Sequence, residues 1–162
     1  MKKGLMRMVA TMLVIMLSVT MALGVKVEAS QQGYRFKYKN ATVKMHGKAK
    51  KLIKKAGKIQ KKVTSKSCAY NGYDRTYLFK NFMLVTYSKS KKGAEYVNCI
   101  KFRTKKVKTR EGIRIGSSKK AVMKAYGAGS SSYGVYTYNK GKSKLQIEIS
   151  NDKVTAITYI AR

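Results

Sequence analysis

Few residues in this chain can do chemistry by themselves, and their spacing limits what that chemistry could be. Beyond position 29 the chain holds one histidine, His46, two cysteines, Cys68 and Cys99, and five carboxylates, Asp74, Glu95, Glu111, Glu148 and Asp152. Hydrolysis needs paired carboxylates or a nucleophile beside a base, and a metal needs ligands at fixed spacing. Here the candidates are scattered, and no phosphate loop or dinucleotide fingerprint occurs. His46 with either cysteine would make a thiol dyad, but it stands just ahead of a helical stretch, where a solvated turn histidine is the simpler reading. The expectation is a non-enzymatic protein with no cofactor, no metal and no small-molecule substrate.

The residues in excess are cations. Lysine and arginine total 37 against 6 acids, a formal charge of +31, far beyond the magnitude of about 2 to 8 that keeps a small domain soluble. Charge on this scale carries no fold information but attracts polyanions. The candidates to hold one are Lys50, Lys51, Lys54, Lys55, Lys58, Lys61 and Lys62, then Lys91 and Lys92, then Lys105, Lys106, Lys108 and Arg110. Tyr70, Tyr73, Tyr136 and Tyr138 are interleaved with cations and could stack on bases or sugars. The alternative is that they are strand residues with a wet tip. Partners of matching charge are anionic cell-wall polymer, an anionic lipid surface or extracellular nucleic acid.

The N-terminus bears on which of these the chain meets. Residues 1–7 form a basic n-region, residues 8–25 are uncharged and mostly apolar, and Val27-Glu-Ala29 fits a small-x-small cleavage site, the pattern of a secretory signal peptide cut after Ala29. An uncleaved membrane anchor is the alternative, because the uncharged run is at the lower limit for spanning a bilayer. Cleavage would remove four cations and one acid and leave +28, so a secreted or cell-envelope protein is expected. Outside the cytoplasm Cys68 and Cys99 could form a disulfide closing a loop of about 30 residues, worth about 3 to 4 kcal/mol; two free thiols are the alternative.

The elements that position these residues follow from periodicity. Ala49, Leu52, Ile53 and Ala56 form one apolar stripe among lysines, with Gly57 as a stop, the signature of a short amphipathic helix. A second helix spans about 118–126, capped by Ser117 or Ser118 and stopped by Gly127. Strands are expected at 75–79, 82–87 and 96–102, and again at 135–138, 145–149 and 154–160, where Leu145, Ile147 and Ile149 alternate with Gln146 and Glu148. Residues 30–42, with Tyr34, Phe36 and Tyr38 at period two, suit a lead-in or edge strand, and 58–67 reads as a basic linker. Val43 to Met45 and the helix after it repeat as Ile113 to Ile115 and the second helix, shifted by 70 positions, which suggests a duplication. The expected fold is therefore α+β: after a signal peptide at 1–29 and a lead-in at 30–42, two tandem units at 43–108 and 109–162, each a helix followed by a three-stranded antiparallel meander.

Gly-Ile-Arg-Ile-Gly-Ser-Ser at 112–118, Val122, Tyr126-Gly127, Leu-Gln-Ile-Glu-Ile at 145–149 and Asn-Asp-Lys-Val-Thr-Ala-Ile at 151–157 resemble the helix-plus-sheet module of the beta-lactamase-inhibitor-like and small outer-membrane assembly lipoprotein group. Residues 67–74, 95–98 and 107–113 are similar to a set of exported proteins of Gram-positive anaerobes. The resemblance implies a tandem pair of modules without catalytic residues, and an alternative function as a proteinaceous inhibitor or protein-protein interaction module with a secreted or envelope partner.

Overall fold

The computed structural model describes residues 33–162, which form one unit; the expected signal peptide lies outside them. A hairpin comes first, β1 (Arg35–Tyr38) against β2 (Ala41–Lys44), followed by helix α1 (Lys50–Ala56). A meander of β3 (Lys61–Lys66), β4 (Tyr73–Leu78), β5 (Phe82–Ser88) and β6 (Tyr96–Phe102) follows. Helix α2 (Lys119–Tyr126) then precedes β7 (Ser130–Ser132), β8 (Val135–Lys140), β9 (Ser143–Ser150) and β10 (Lys153–Ala161). The eight strands after the hairpin make one antiparallel sheet in the order β3-β4-β5-β6-β10-β9-β8-β7. The two meanders meet along their last strands, with Tyr159 opposite Ile100.

One face of this sheet is the core. Tyr77, Phe82, Leu84, Ile100, Phe102, Leu145, Ile147, Ile157 and Tyr159 are buried on it, and the register puts them in lateral rows, since Leu84 pairs with Tyr77 and Ile100, and Ile147 pairs with Ile157. The hairpin contributes Phe36, whose ring lies 5.3 Å from Phe82, 5.7 Å from Phe102 and 6.2 Å from Tyr159. Each helix adds one fully buried side chain, Leu52 from α1 and Val122 from α2. Burying a side chain of that size contributes about 1.5–3 kcal/mol, enough to dock a helix of two turns that would not form alone. The Ser118 hydroxyl caps α2 by accepting from the Ala121 N–H at 3.2 Å. Gly127 ends the helix at φ 80°, where its N–H reaches the Met123 carbonyl at 2.8 Å.

On the opposite face, alternation leaves Leu78, Met83, Val85, Tyr87, Tyr96, Cys99 and Ile160 half-buried. No described element buries them.

The expectation of two helix-plus-three-strand α+β units is overturned. Among the described residues strand makes up 48% against 12% helix, and the meanders have four strands each and share one sheet. The missing members are edge strands. Lys61–Lys66, read as a linker, pairs residue for residue with β4 while all six side chains stay exposed, so no hydrophobic alternation marks it. Its lysines suit an edge that must not recruit another chain. Ser130–Ser132 forms the other edge in the same way. Ile113 to Ile115 lies in a turn-rich segment, whereas in the matching stretch Val43 pairs with Phe36 in the hairpin.

Candidate functional site

The clearest basic feature is a cleft of about 810 Å³ lined by Arg35, Lys37, Lys39, Lys106, Lys108 and Arg110, with no carboxylate among the described residues that line it. Two segments build it, and both follow alternation. In β1 Phe36 points into the core, which turns Arg35 and Lys37 outward, and Lys39 follows in the turn at φ 51°. In the connection after β6, Val107 and Thr109 are buried, which leaves Lys106, Lys108 and Arg110 exposed. Thr109 is anchored at both ends of its backbone and side chain: its N–H donates to the Ile113 carbonyl at 2.7 Å and its hydroxyl accepts from the Ile113 N–H at 3.1 Å.

Asn81, in the turn between β4 and β5, ties the two segments together. Its side-chain amide donates to the Tyr38 hydroxyl at 2.7 Å and its side-chain oxygen accepts from the Thr104 hydroxyl at 3.0 Å. The Tyr38 ring packs 5.0 Å from Phe82, and Lys39 Nζ lies 5.8 Å from the ring centroid. The cleft thus offers six cations on a braced base, with electrostatic attraction and N–H donation as its chemistry.

A second hollow of about 560 Å³ gathers Lys48, Lys50, Lys54 and Lys92 around Tyr77 and Glu95. Glu95 accepts the Tyr77 hydroxyl at 2.9 Å and the Thr86 hydroxyl at 2.7 Å, and its carboxylate lies 3.7 Å from Nε of the buried Arg75. Arg75 also donates to the Ser88 hydroxyl at 2.7 Å and to the Lys91 carbonyl. Burial first, and then the hydrogen bond to Glu95, holds the Tyr77 phenol above its ordinary range.

The fold therefore sorts the cations singled out in the sequence. Lys106, Lys108 and Arg110 join the cleft, Lys50, Lys54 and Lys92 join the second hollow, and Lys61 and Lys62 sit on the β3 edge, with Lys62 Nζ 5.3 Å from the Tyr77 ring. Lys51, Lys55, Lys58, Lys91 and Lys105 are exposed and line neither. Arg35, Lys37 and Lys39 were not singled out by sequence, although their alternation with Tyr34, Phe36 and Tyr38 is visible there.

Three of the four tyrosines have partners for their side chains. Tyr138 is buried, packs 5.1 Å from Tyr126 and donates to the Gly127 carbonyl at 3.2 Å. Tyr136 lies beneath Lys119 Nζ at 5.7 Å. Tyr70 donates to Asp74 Oδ1 at 2.6 Å and to the carbonyl of Tyr73, itself half-buried at the start of β4. Burial and then the Asp74 hydrogen bond push the Tyr70 phenol up to about 12.

Cys68 and Cys99 are free thiols, exposed and partly buried respectively. Cys68 lies in the β3–β4 connection and Cys99 in β6, with no bond between them. His46 Nε2 donates to the Arg162 carbonyl at 2.9 Å. Among the described residues no three His, Cys, Asp or Glu side chains gather as a metal site. Comparison with known proteins finds no matching family model, no matching curated protein and no matching solved structure.

Proposed function

We propose that this protein is an exported, non-enzymatic binder of anionic polymers in the extracellular space or cell envelope. The observation that carries the reading is the cleft in which six cations from two separate segments meet with no carboxylate among the described residues that line it. The excess of 37 cations over 6 acids supports it by drawing polyanions toward the whole surface. Export rests on the basic, apolar and small-residue pattern of residues 1–29, and the mass of protein recovered from the medium tests cleavage after Ala29. Binding itself is tested by its salt dependence. Five phosphate contacts, from Lys37, Lys39, Lys106, Lys108 and Arg110, at about −0.7 each give a log-log slope of about −3.5, so affinity falls about 130-fold between about 50 and 200 mM salt. Affinity unchanged over that range, or no binding to any anionic polymer at low salt, refutes the reading.

A second reading, a protein-binding module of the inhibitor type, is favoured by the uncovered sheet face. There the Tyr87 ring lies 5.5 Å from Tyr96, 5.9 Å from Tyr70 and 6.2 Å from His46, beside half-buried Met83, Val85 and Ile160. A packed partner would be retained at about 0.5 M salt, where surface charge contacts are screened, and Met83→Glu would release it. Retention of nothing at that salt removes this reading.

A further inference from the structure

We infer that the cleft takes a non-aromatic phosphodiester chain, the chemistry of a polyol-phosphate polymer, rather than a nucleic acid or a bilayer surface. The inference rests on the polyanion-binding reading and narrows it to one site and one ligand class. Spacing is the first argument. On both segments exposed cations alternate with buried residues, Lys37 beside Phe36 in β1 and Lys106, Lys108 and Arg110 around Val107 and Thr109 in the irregular connection after β6. A phosphodiester chain carries a charge on every repeat, so it can meet these side chains with successive phosphates.

The second argument is what the cleft lacks. Single-stranded nucleic acids are held by aromatic side chains on which bases stack. Among the described residues the only aromatic ring lining this cleft is Tyr38; its hydroxyl is engaged by Asn81, it packs on Phe82, and Lys39 lies over the ring. No stacking platform is left. A bilayer surface is bound with apolar side chains inserted beside the cations, but among the described residues the exposed large apolar side chains, Ile59, Val63 and Tyr133, all lie outside the cleft. What remains favoured is a flexible chain of phosphates joined by small hydroxylated units, which the Thr42 hydroxyl in the lining can also meet.

The test uses the exported chain with three probes of matched charge: poly(glycerol phosphate), oligothymidylate and phosphatidylglycerol vesicles. Lys37→Gln/Lys106→Gln/Lys108→Gln removes three exposed cleft cations, and Lys120→Gln/Lys124→Gln/Lys153→Gln removes three exposed cations elsewhere. The cleft variant should lose about 100-fold in affinity for poly(glycerol phosphate) at 0.1 M salt, with the salt slope reduced by about 2. The control variant should lose only a few-fold, and Lys37→Arg/Lys106→Arg/Lys108→Arg should retain native binding. Equal loss in the control, or tighter binding of oligothymidylate or vesicles than of poly(glycerol phosphate), overturns this inference and leaves polyanion binding standing. If none of the three probes binds at low salt, both fail.

Discussion

Removing the Glu95 carboxylate tests the internal polar network. Glu95 faces Arg75 at 3.7 Å, accepts the Tyr77 and Thr86 hydroxyls, and its side chain is 20% exposed against 5% for Arg75. Glu95→Ala leaves a guanidinium buried with only the Ser88 hydroxyl and the Lys91 carbonyl as partners, in a chain that already carries +31. Breaking a buried pair from one side costs about 3–5 kcal/mol, and the partial exposure of Glu95 puts this case at the low end, about 3 kcal/mol. A folded unit spanning Gly33–Arg162 shifts by about 4 °C per kcal/mol, so Tm should fall by about 12 °C. Arg75→Met/Glu95→Gln removes the charge while keeping partners for Tyr77 and Thr86, and Ser88 still donates to the Ser90 carbonyl at 2.8 Å. The double variant should return to within about 1 kcal/mol of the native protein. Urea denaturation followed by circular dichroism measures both. A Glu95→Ala cost below about 1 kcal/mol, the level of a surface pair, or a double variant no more stable than the single one, would refute the reasoning.

Leu52→Ala takes away the one fully buried side chain of α1 and should cost about 3 kcal/mol, with the amides of Lys50–Ala56 losing hydrogen-exchange protection first. Ser118→Ala removes the α2 cap and should cost about 1 kcal/mol, read from the denaturation midpoint. Burial holds the Tyr159 phenol above its ordinary value of 10.0, with the Glu111 charge adding to the effect. The native state then keeps a proton that the unfolded chain releases, so stability is full below pH 10 and falls above it by up to about 1.4 kcal/mol per pH unit for this group. Denaturation midpoints that fall less steeply from pH 9 to 11 in a Tyr159→Phe variant than in the native chain would confirm that assignment, the remaining slope coming from other buried groups such as Tyr70 and Tyr77; equal slopes would sink it. Exposed Cys68 should react rapidly with a thiol reagent, whereas Cys99, its thiol pushed up by burial, should react slowly, as intact mass against time will show.

Sequence alone determined those elements whose own side chains record the environment they enter. Leu145, Ile147 and Ile149 alternate because one face of β9 is buried, and Ser118 and Gly127 delimit α2 because helix ends need a cap and a residue free to take positive φ. Phe82–Ser88 and Tyr96–Phe102 were legible for the same reason. The β3 and β7 edges were not, since their side chains bury nothing and only the hydrogen bonds of β4 and β8 make them strands. Nor could sequence join Tyr159 to Ile100, the pairing that turns two meanders into one sheet, because a register between distant strands leaves no local pattern. The cleft belongs to the same class. Its charges were countable from composition, but Lys37 and Lys108 share a wall only because Phe36, Val107 and Thr109 are buried beneath them and Asn81 bonds to both segments. Charge is a property of residues and was visible at once; convergence of charge is a property of packing, and tertiary structure decided it.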